Sequence, residues 1–438
     1  MNKIPEYNEL KQWYSERFKD FEAKLNGESG SFFHQLRKDA IGKLNELYFP
    51  HSKNEDWKYT NISPVLKYNF KPAVLLDDAG VSENLIEKSL VGQADTYNFV
   101  FVNGKIYSAS ENLPAGVKAV SLAKLMKENP GSLKDQIAKI SGIENSFNAL
   151  NTAFATDGFA LIINDNVELD KPVQVLFLSG HESENVAANP RNFIAAGKNS
   201  KAEIIFNYKG FGKNVYLNNA VTEAYLDESA KLNIYSLQDE NSDSFHIEKT
   251  QVSQKSNSCF SNYSFALDGK IIRNDINTSL DDQHCEAHFY GLYLGRDEQL
   301  IDHHTFVDHA TPNCESNELY KGILDDNSRG VFNGKILVRQ DAQKTNAFQS
   351  NKAVLLSKEA KIDTKPQLEI YADDVKCSHG AAVGRLDQNA DFYIRSRGIP
   401  ADIAKSMLLQ AFASDVVEKV EIEELKDILN KKISEHLF

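Results

Sequence analysis

Cys377 and His379, in the run Glu369-Ile370-Tyr371-Ala372-Asp373-Asp374-Val375-Lys376-Cys377-Ser378-His379-Gly380, are the residues of this chain whose types and spacing best suit chemistry. On a β-strand, residues two apart project from one face, so a thiolate and an imidazole address a single point while Lys376 and Ser378 point the other way. A soft thiolate beside a borderline imidazole suits iron, zinc or the edge of an iron–sulfur cluster. Two ligands do not close a tetrahedral site, so the rest must come from elsewhere. Gly380 allows close backbone approach. An inert buried cysteine next to a hydrogen-bonded histidine explains the same pair.

A second concentration holds His284, His288, His303, His304 and His309, with Cys285 and Cys314, which is seven of the fifteen histidines and cysteines in the chain. On strands, His284 and His288 would share a face and His303 and His304 would oppose each other. A histidine-rich metalloenzyme built on His284, His288 and His304 is one reading; histidines satisfied by neighbouring carboxylates are the other. The aromatic and polar run Glu55-Asp56-Trp57-Lys58-Tyr59-Thr60-Asn61 reads as a structural corner. No G-x-S-x-G elbow occurs, and Gly210-Phe211-Gly212-Lys213-Asn214 is no phosphate-binding loop, lacking the first glycine and the hydroxyl residue. Any ATP chemistry must then come from a partner.

The elements that position these residues fall into three regions, 1–145, 146–398 and 399–438. Leu10, Trp13, Tyr14, Phe18 and Phe21, then Phe33, Leu36, Ala40, Leu44 and Leu47, form two apolar stripes at helical spacing. Around Val100 to Tyr107 the period drops to two about Asn103-Gly104, a hairpin signal, so the first region reads as α/β. From about 155 to 397 short β-rich runs alternate with polar turns. Turns anchored on Asn199, Glu228, Gly269, Glu298, Asn327 and Glu359 are separated by 29, 41, 29, 29 and 32 residues. The long interval contains the polar stretch Gln238 to Ser244, read here as an inserted loop. Such a repeat in an all-β region points to a solenoid or propeller, with a sandwich as the alternative. After Gly398 and Pro400, Ile403, Met407, Leu408 and Phe412 share a helical face, and Ile422, Leu425, Ile428, Leu429, Ile433 and Leu437 another. This helical tail must dock on its own solenoid or on a partner.

Composition narrows the function classes. The 438 residues carry a formal charge of -13 without clustered Lys and Arg, which disfavours nucleic acid as a partner. No stretch reaches the ~20 apolar residues of a bilayer span and the first residues lack a secretion signal, so a cytoplasmic protein with no membrane association is expected. Four widely spaced cysteines, Cys259, Cys285, Cys314 and Cys377, argue against a disulfide framework.

Taken together, Lys321-Gly322-Ile323-Leu324, the run Gly330 to Ile336, Asp341-Ala342-Gln343-Lys344-Thr345, Leu355-Leu356-Ser357, Ile362 to Ile370, Lys376 to Gly380 and Phe392 to Ile399 closely resemble the SufB/SufD family of iron–sulfur cluster assembly proteins. The likeness is dense from about 284 to 415 and thin before 150. Glu55 to Thr60 resembles the SufD signature, and the chain lacks the cysteine-rich N-terminal character of SufB. The resemblance implies a mainly β protein, a right-handed parallel β-helix flanked by an N-terminal α/β region and C-terminal helices. It implies a scaffold subunit of the SUF system, not an enzyme, that pairs with SufB and joins two copies of the ATPase SufC, and that admits a homodimer when isolated. A nascent iron–sulfur cluster or iron is then handled at the partner interface by His379 with Cys377, and none is tightly held by the chain alone. Ile403, Met407, Leu408 and Phe412 become the docking face for SufC.

Overall fold

The protein is described by a computed structural model that covers residues 7–25, 31–76, 80–92, 95–128, 133 and 136–436. Leu437 lies outside the described residues. The centre is a parallel β-solenoid of two sheets, each turn giving one strand to each sheet. The first sheet ends on the strand Lys361–Ile370 and the second on Lys376–Gly384. In the second sheet Lys201, Lys231, Cys259, Glu286, Glu315, Asn346 and Lys376 stack in register, so one turn takes 27 to 31 residues.

The expected repeat is therefore present, but its long interval has another cause. Asn199 and Glu228 occupy the corner that leads from the first sheet to the second, whereas Gly269, Glu298, Asn327 and Glu359 occupy the opposite corner. The 41-residue step is a change of corner; no inserted loop is needed. The successor of Ser229 at its own corner is Asn257, followed by His284, and all three adopt left-handed backbone with φ of 59°, 58° and 60°. Asn tolerates this conformation because its short polar side chain hydrogen-bonds locally. His284 thus sits in a turn and does not share a strand face with His288.

Inside the solenoid, aromatic rings interlock with glycines of the neighbouring strand. Tyr320 stacks in register on Gly291 and Tyr293 on Gly322, and a Cβ added at either glycine would run into that ring. The Tyr293 hydroxyl donates to Asn351 Oδ1 at 3.0 Å, which fixes the ring that fills the gap. Gly322→Val is expected to destabilise the chain by about 1–3 kcal/mol through overpacking. Urea unfolding checks this, and an unchanged midpoint would show that the Tyr293 ring is free to move aside.

The two ends of the solenoid differ. At the N-terminal end the hairpin expected around Asn103-Gly104 forms, with φ of 49° and 75° at the turn, and its strand Tyr97–Val102 runs parallel to Val173–His181 as the first rung of the second sheet. Val117–Ser121 closes the first sheet by pairing antiparallel to Phe159–Ile163. The helices Asn8–Lys24, Phe32–Glu46 and Ser146–Phe154 bury Tyr14, Phe18, Phe21, Ala40, Leu44, Phe147 and Phe154 in one cluster that reaches Leu217 and Phe245 of the first sheet. At the other end no further turn covers the last strands among the described residues.

Three helices follow the solenoid: Gln388–Arg395, Ala401–Val417 and Glu423–Glu435. The first lies within the stretch expected to be β, and the Asp387 side chain caps it by accepting from Asn389 N at 2.8 Å. Its aromatic residues Phe392 and Tyr393 are exposed, so it offered no core-facing stripe to read. The other two lie on the outer face of the second sheet, where Leu409, Ala413, Val416, Leu425, Leu429 and Ile433 meet Tyr235, Tyr263, Leu292 and Ile323. The tail docks on its own solenoid. No helix among the described residues is long and apolar enough to cross a membrane.

Candidate functional site

Parallel pairing dictates which residues face the solenoid interior. Ala347, Gln349 and Asn351 of the strand Asn346–Leu355 are buried, at 0%, 2% and 1% exposure, and Cys377, His379 and Ala381 lie directly beside them in register. Cys377 and His379 therefore project from the same face, toward the interior, at a turn that no further turn covers among the described residues. Cys377 is half-buried against the core and His379 is exposed. Burial raises the Cys377 thiol pKa, while a backbone hydrogen bond from Ala347 opposes the rise. The imidazole is thus the more available ligand of the two.

Beneath His379 lie polar groups that sequence patterning did not single out. The Gln349 amide is buried there and lies against the Glu318 carboxylate, whose charged form it favours. One rung deeper, in register with Gln349, is Glu318. Burial pushes its pKa up to about 7, against a 2.5 Å hydrogen bond donated by Thr305 Oγ1. Glu and Gln in an alternating strand read as outward residues, so no sequence signal marks them as interior.

The histidine concentration disperses. His288 lies on the outer face of the second sheet beside Glu286 at 3.3 Å. His303 is buried between the rings of Tyr293 and Tyr320, and burial pushes its pKa down to about 4. His304, on the opposite side of the same strand, contacts Asp302 at 3.1 Å. His309 is buried beside Ser316 Oγ at 2.9 Å, again with its pKa pushed down to about 4 by burial. His284, His288 and His304 stand in a corner turn and on two different sheets, so the fold does not gather them. Cys285 and Cys314 are wholly buried where the corner turns stack.

The run Glu55 to Asn61 is a corner, as expected. It pins the N-terminal region to the first sheet: the Arg273 guanidinium lies 3.8 Å from the Trp57 ring centroid and donates to Asp56 O at 2.7 Å, while Thr60 Oγ1 donates to Asp302. A cleft of about 600 Å³ lies alongside, lined among others by Trp57, Lys249, Arg273, His304 and Lys335. Its cations are already matched. Arg273 meets Asp302 at 2.7 Å, Lys249 meets Glu144 at 2.7 Å and Lys335 meets Glu369 at 2.9 Å.

The four helical residues read as one docking face divide. Ile403 and Met407 are 49% and 44% exposed, whereas Leu408 is half-buried and Phe412 turns toward the solenoid with Lys321 Nζ 4.8 Å from its ring centroid. Ala404, Leu409, Ala413, Val416 and Val417 form the buried face. This helix is apolar nearly all round, so spacing alone could not choose its inner side.

Comparison with known proteins decides the family. Residues 177–412 match the family described as "SUF system FeS cluster assembly, SufBD core domain", and residues 8–175 match the "SufBD protein N-terminal region". The chain belongs to the SufBD family. Its similarity extends over nearly full length: it is 30% identical to a SufBD family iron–sulfur cluster assembly protein of Synechocystis sp., covering 94% of this chain and 93% of that one. It is 28% identical to the iron–sulfur cluster assembly protein SufD of Escherichia coli, covering 98% and 97%, and 25% identical to SufD of Bacillus subtilis, covering 89% and 91%. The SufBD core match spans both sheets from Phe177 onward, the open end and most of the helix Ala401–Val417.

Proposed function

We propose that this chain is the SufD-type scaffold subunit of a SUF iron–sulfur assembly complex, pairing through the open end of its solenoid with a SufB-like paralogue. The observation that carries this reading is the uncovered last turn. Lys361–Ile370 and Lys376–Gly384 each pair on one side only, and an exposed edge presents unpaired N–H and C=O groups ready to extend into another chain. Phe348, Ile370, Tyr371 and Val383 add exposed apolar surface at the same end. His379 stands there with Cys377 beside it, and we assign to His379 the ligand role toward iron or a nascent cluster whose remaining ligands the partner supplies. A SufC-like ATPase provides the nucleotide chemistry, consistent with the missing phosphate-binding motif, and engages the exposed Ile403 and Met407. The cytosol is the compartment that suits a chain of four free cysteines.

His379→Ala tests the site directly. It is expected to leave a complex with SufB-like and SufC-like partners assembled, because the side chain is exposed, while lowering iron or cluster content of the purified complex at least about tenfold, the usual cost of disturbing a metal site. Equal loading in the variant and wild-type complexes would reduce the chain to a structural adaptor. A chain that self-associates and captures neither partner would remove the pairing proposal.

A further inference from the structure

A second set of donors lies on the outer face of the second sheet. Cys259 opens the strand Cys259–Asp268, and Glu286 opens the neighbouring strand Glu286–Gly295 directly in register beside it. His288 follows Glu286 by two residues and so stands on the same face. One ligand atom from each, the thiol sulfur, a carboxylate oxygen and an imidazole nitrogen, lie within 4.8 Å of one another. Donors around a tetrahedral ion at ordinary Zn–S and Zn–N lengths are separated by about 3.3–3.8 Å, so these three need to close by no more than about 1.5 Å to share one centre.

The surroundings are those of a site with one side open. The His288 ring places Nε2 3.3 Å from Glu286 Oε2, and its Nδ1 is buried without a hydrogen-bond partner. Cys259 and His288 line a cleft of about 380 Å³ together with Lys231, Tyr263, Tyr290, Lys419 and Glu421. The segment that joins the last two helices contributes Lys419 and Glu421 to one wall; the Glu421 carboxylate is already engaged with Glu203, which leaves the fourth position to water. Thiolate, imidazole and carboxylate together select a borderline divalent transition ion over magnesium or calcium, which take oxygen ligands. Three protein ligands with an open position are the arrangement of sites that exchange their fourth ligand.

We propose that Cys259, Glu286 and His288 bind one divalent transition-metal ion of the Zn(II) or Fe(II) class, at a surface distinct from the open end of the solenoid. On coordination the Cys259 thiol releases its proton to solvent and the ion takes its place. The proposal is independent of the assembly role of His379.

Titration of the purified full-length chain with Co(II) reads the site through the thiolate-to-cobalt charge-transfer absorption. One equivalent is expected to give the band. Cys259→Ser should abolish it, and Glu286→Gln and His288→Ala should each weaken binding at least about tenfold, judged against loss of a supporting ligand. Cys377→Ser should leave it intact. The wild-type chain decides the main point however the variants fold: no thiolate band at saturating Co(II) overturns the site. So does a band that survives Cys259→Ser, or one that disappears with Cys377→Ser.

Discussion

Arg273→Ala is expected to lower the unfolding free energy by about 3–5 kcal/mol, the cost of removing one partner from a buried ion pair. Arg273 is 2% exposed and Asp302 is 0% exposed, and the guanidinium also forms hydrogen bonds to Asp275 at 2.8 and 3.2 Å. Burial by itself would raise the Asp302 pKa, but His304 and Arg273 and the Thr60 hydroxyl hold it below the ordinary carboxylate value. A depressed carboxylate contributes stability that is present above about pH 4, its unfolded pKa, and is lost as pH falls through the lower native value. Urea denaturation followed by tryptophan fluorescence reads the effect, since Trp57 stacks on the guanidinium. The N-terminal region should also become more sensitive to limited proteolysis. The double variant Arg273→Met with Asp302→Asn should recover much of the loss, because a buried ion pair exchanged for neutral groups is often nearly neutral. A loss under about 1 kcal/mol in Arg273→Ala would mean that water reaches and solvates the pair.

The second large effect concerns pH. His246 is 1% exposed inside the solenoid, with Nδ1 2.6 Å from Glu240 Oε1 and Nε2 3.4 Å from Glu248 Oε2. Burial disfavours the charged ring, yet Glu240 and then Glu248 overcome it and raise the pKa to about 9. A raised pKa contributes stability that is fully present below the unfolded value near 6.5 and is lost as pH rises through about 9. At 1.36 kcal/mol per unit this amounts to about 3–4 kcal/mol at most. His246→Leu should flatten that part of the profile and, at pH 6.5, cost about 3–5 kcal/mol by stranding two buried carboxylates. Denaturation midpoints of both proteins at pH 6.5 and 9.5 isolate the term by difference. Parallel profiles would show that the imidazole is neutral in the folded chain.

The β character of the centre, the hairpin at Asn103-Gly104 and the helical ends were legible because each depends on local periodicity or turn chemistry. The turn spacing was legible too, yet both corners of a solenoid use the same polar residues, so a single series mixed them. The helix Gln388–Arg395 escaped because its aromatic side chains face solvent and leave no buried stripe. In the helix Ala401–Val417 the apolar residues encircle the axis, and only the contact with the second sheet turns Phe412 toward Lys321 and leaves Ile403 and Met407 free.

For the sites the division is similar. That Cys377 and His379 share a face follows from the two-residue period of any strand, and the sequence by itself determines it. That this strand is the last rung among the described residues, with Gln349 and Glu318 stacked beneath, depends on register between residues about 30 apart. The same register separates His284, His288 and His304 and brings Cys259 beside Glu286. Backbone hydrogen bonds between parallel strands are alike at every rung, so the pairing is set by how whole turns bury their side chains. Only the tertiary structure decided it.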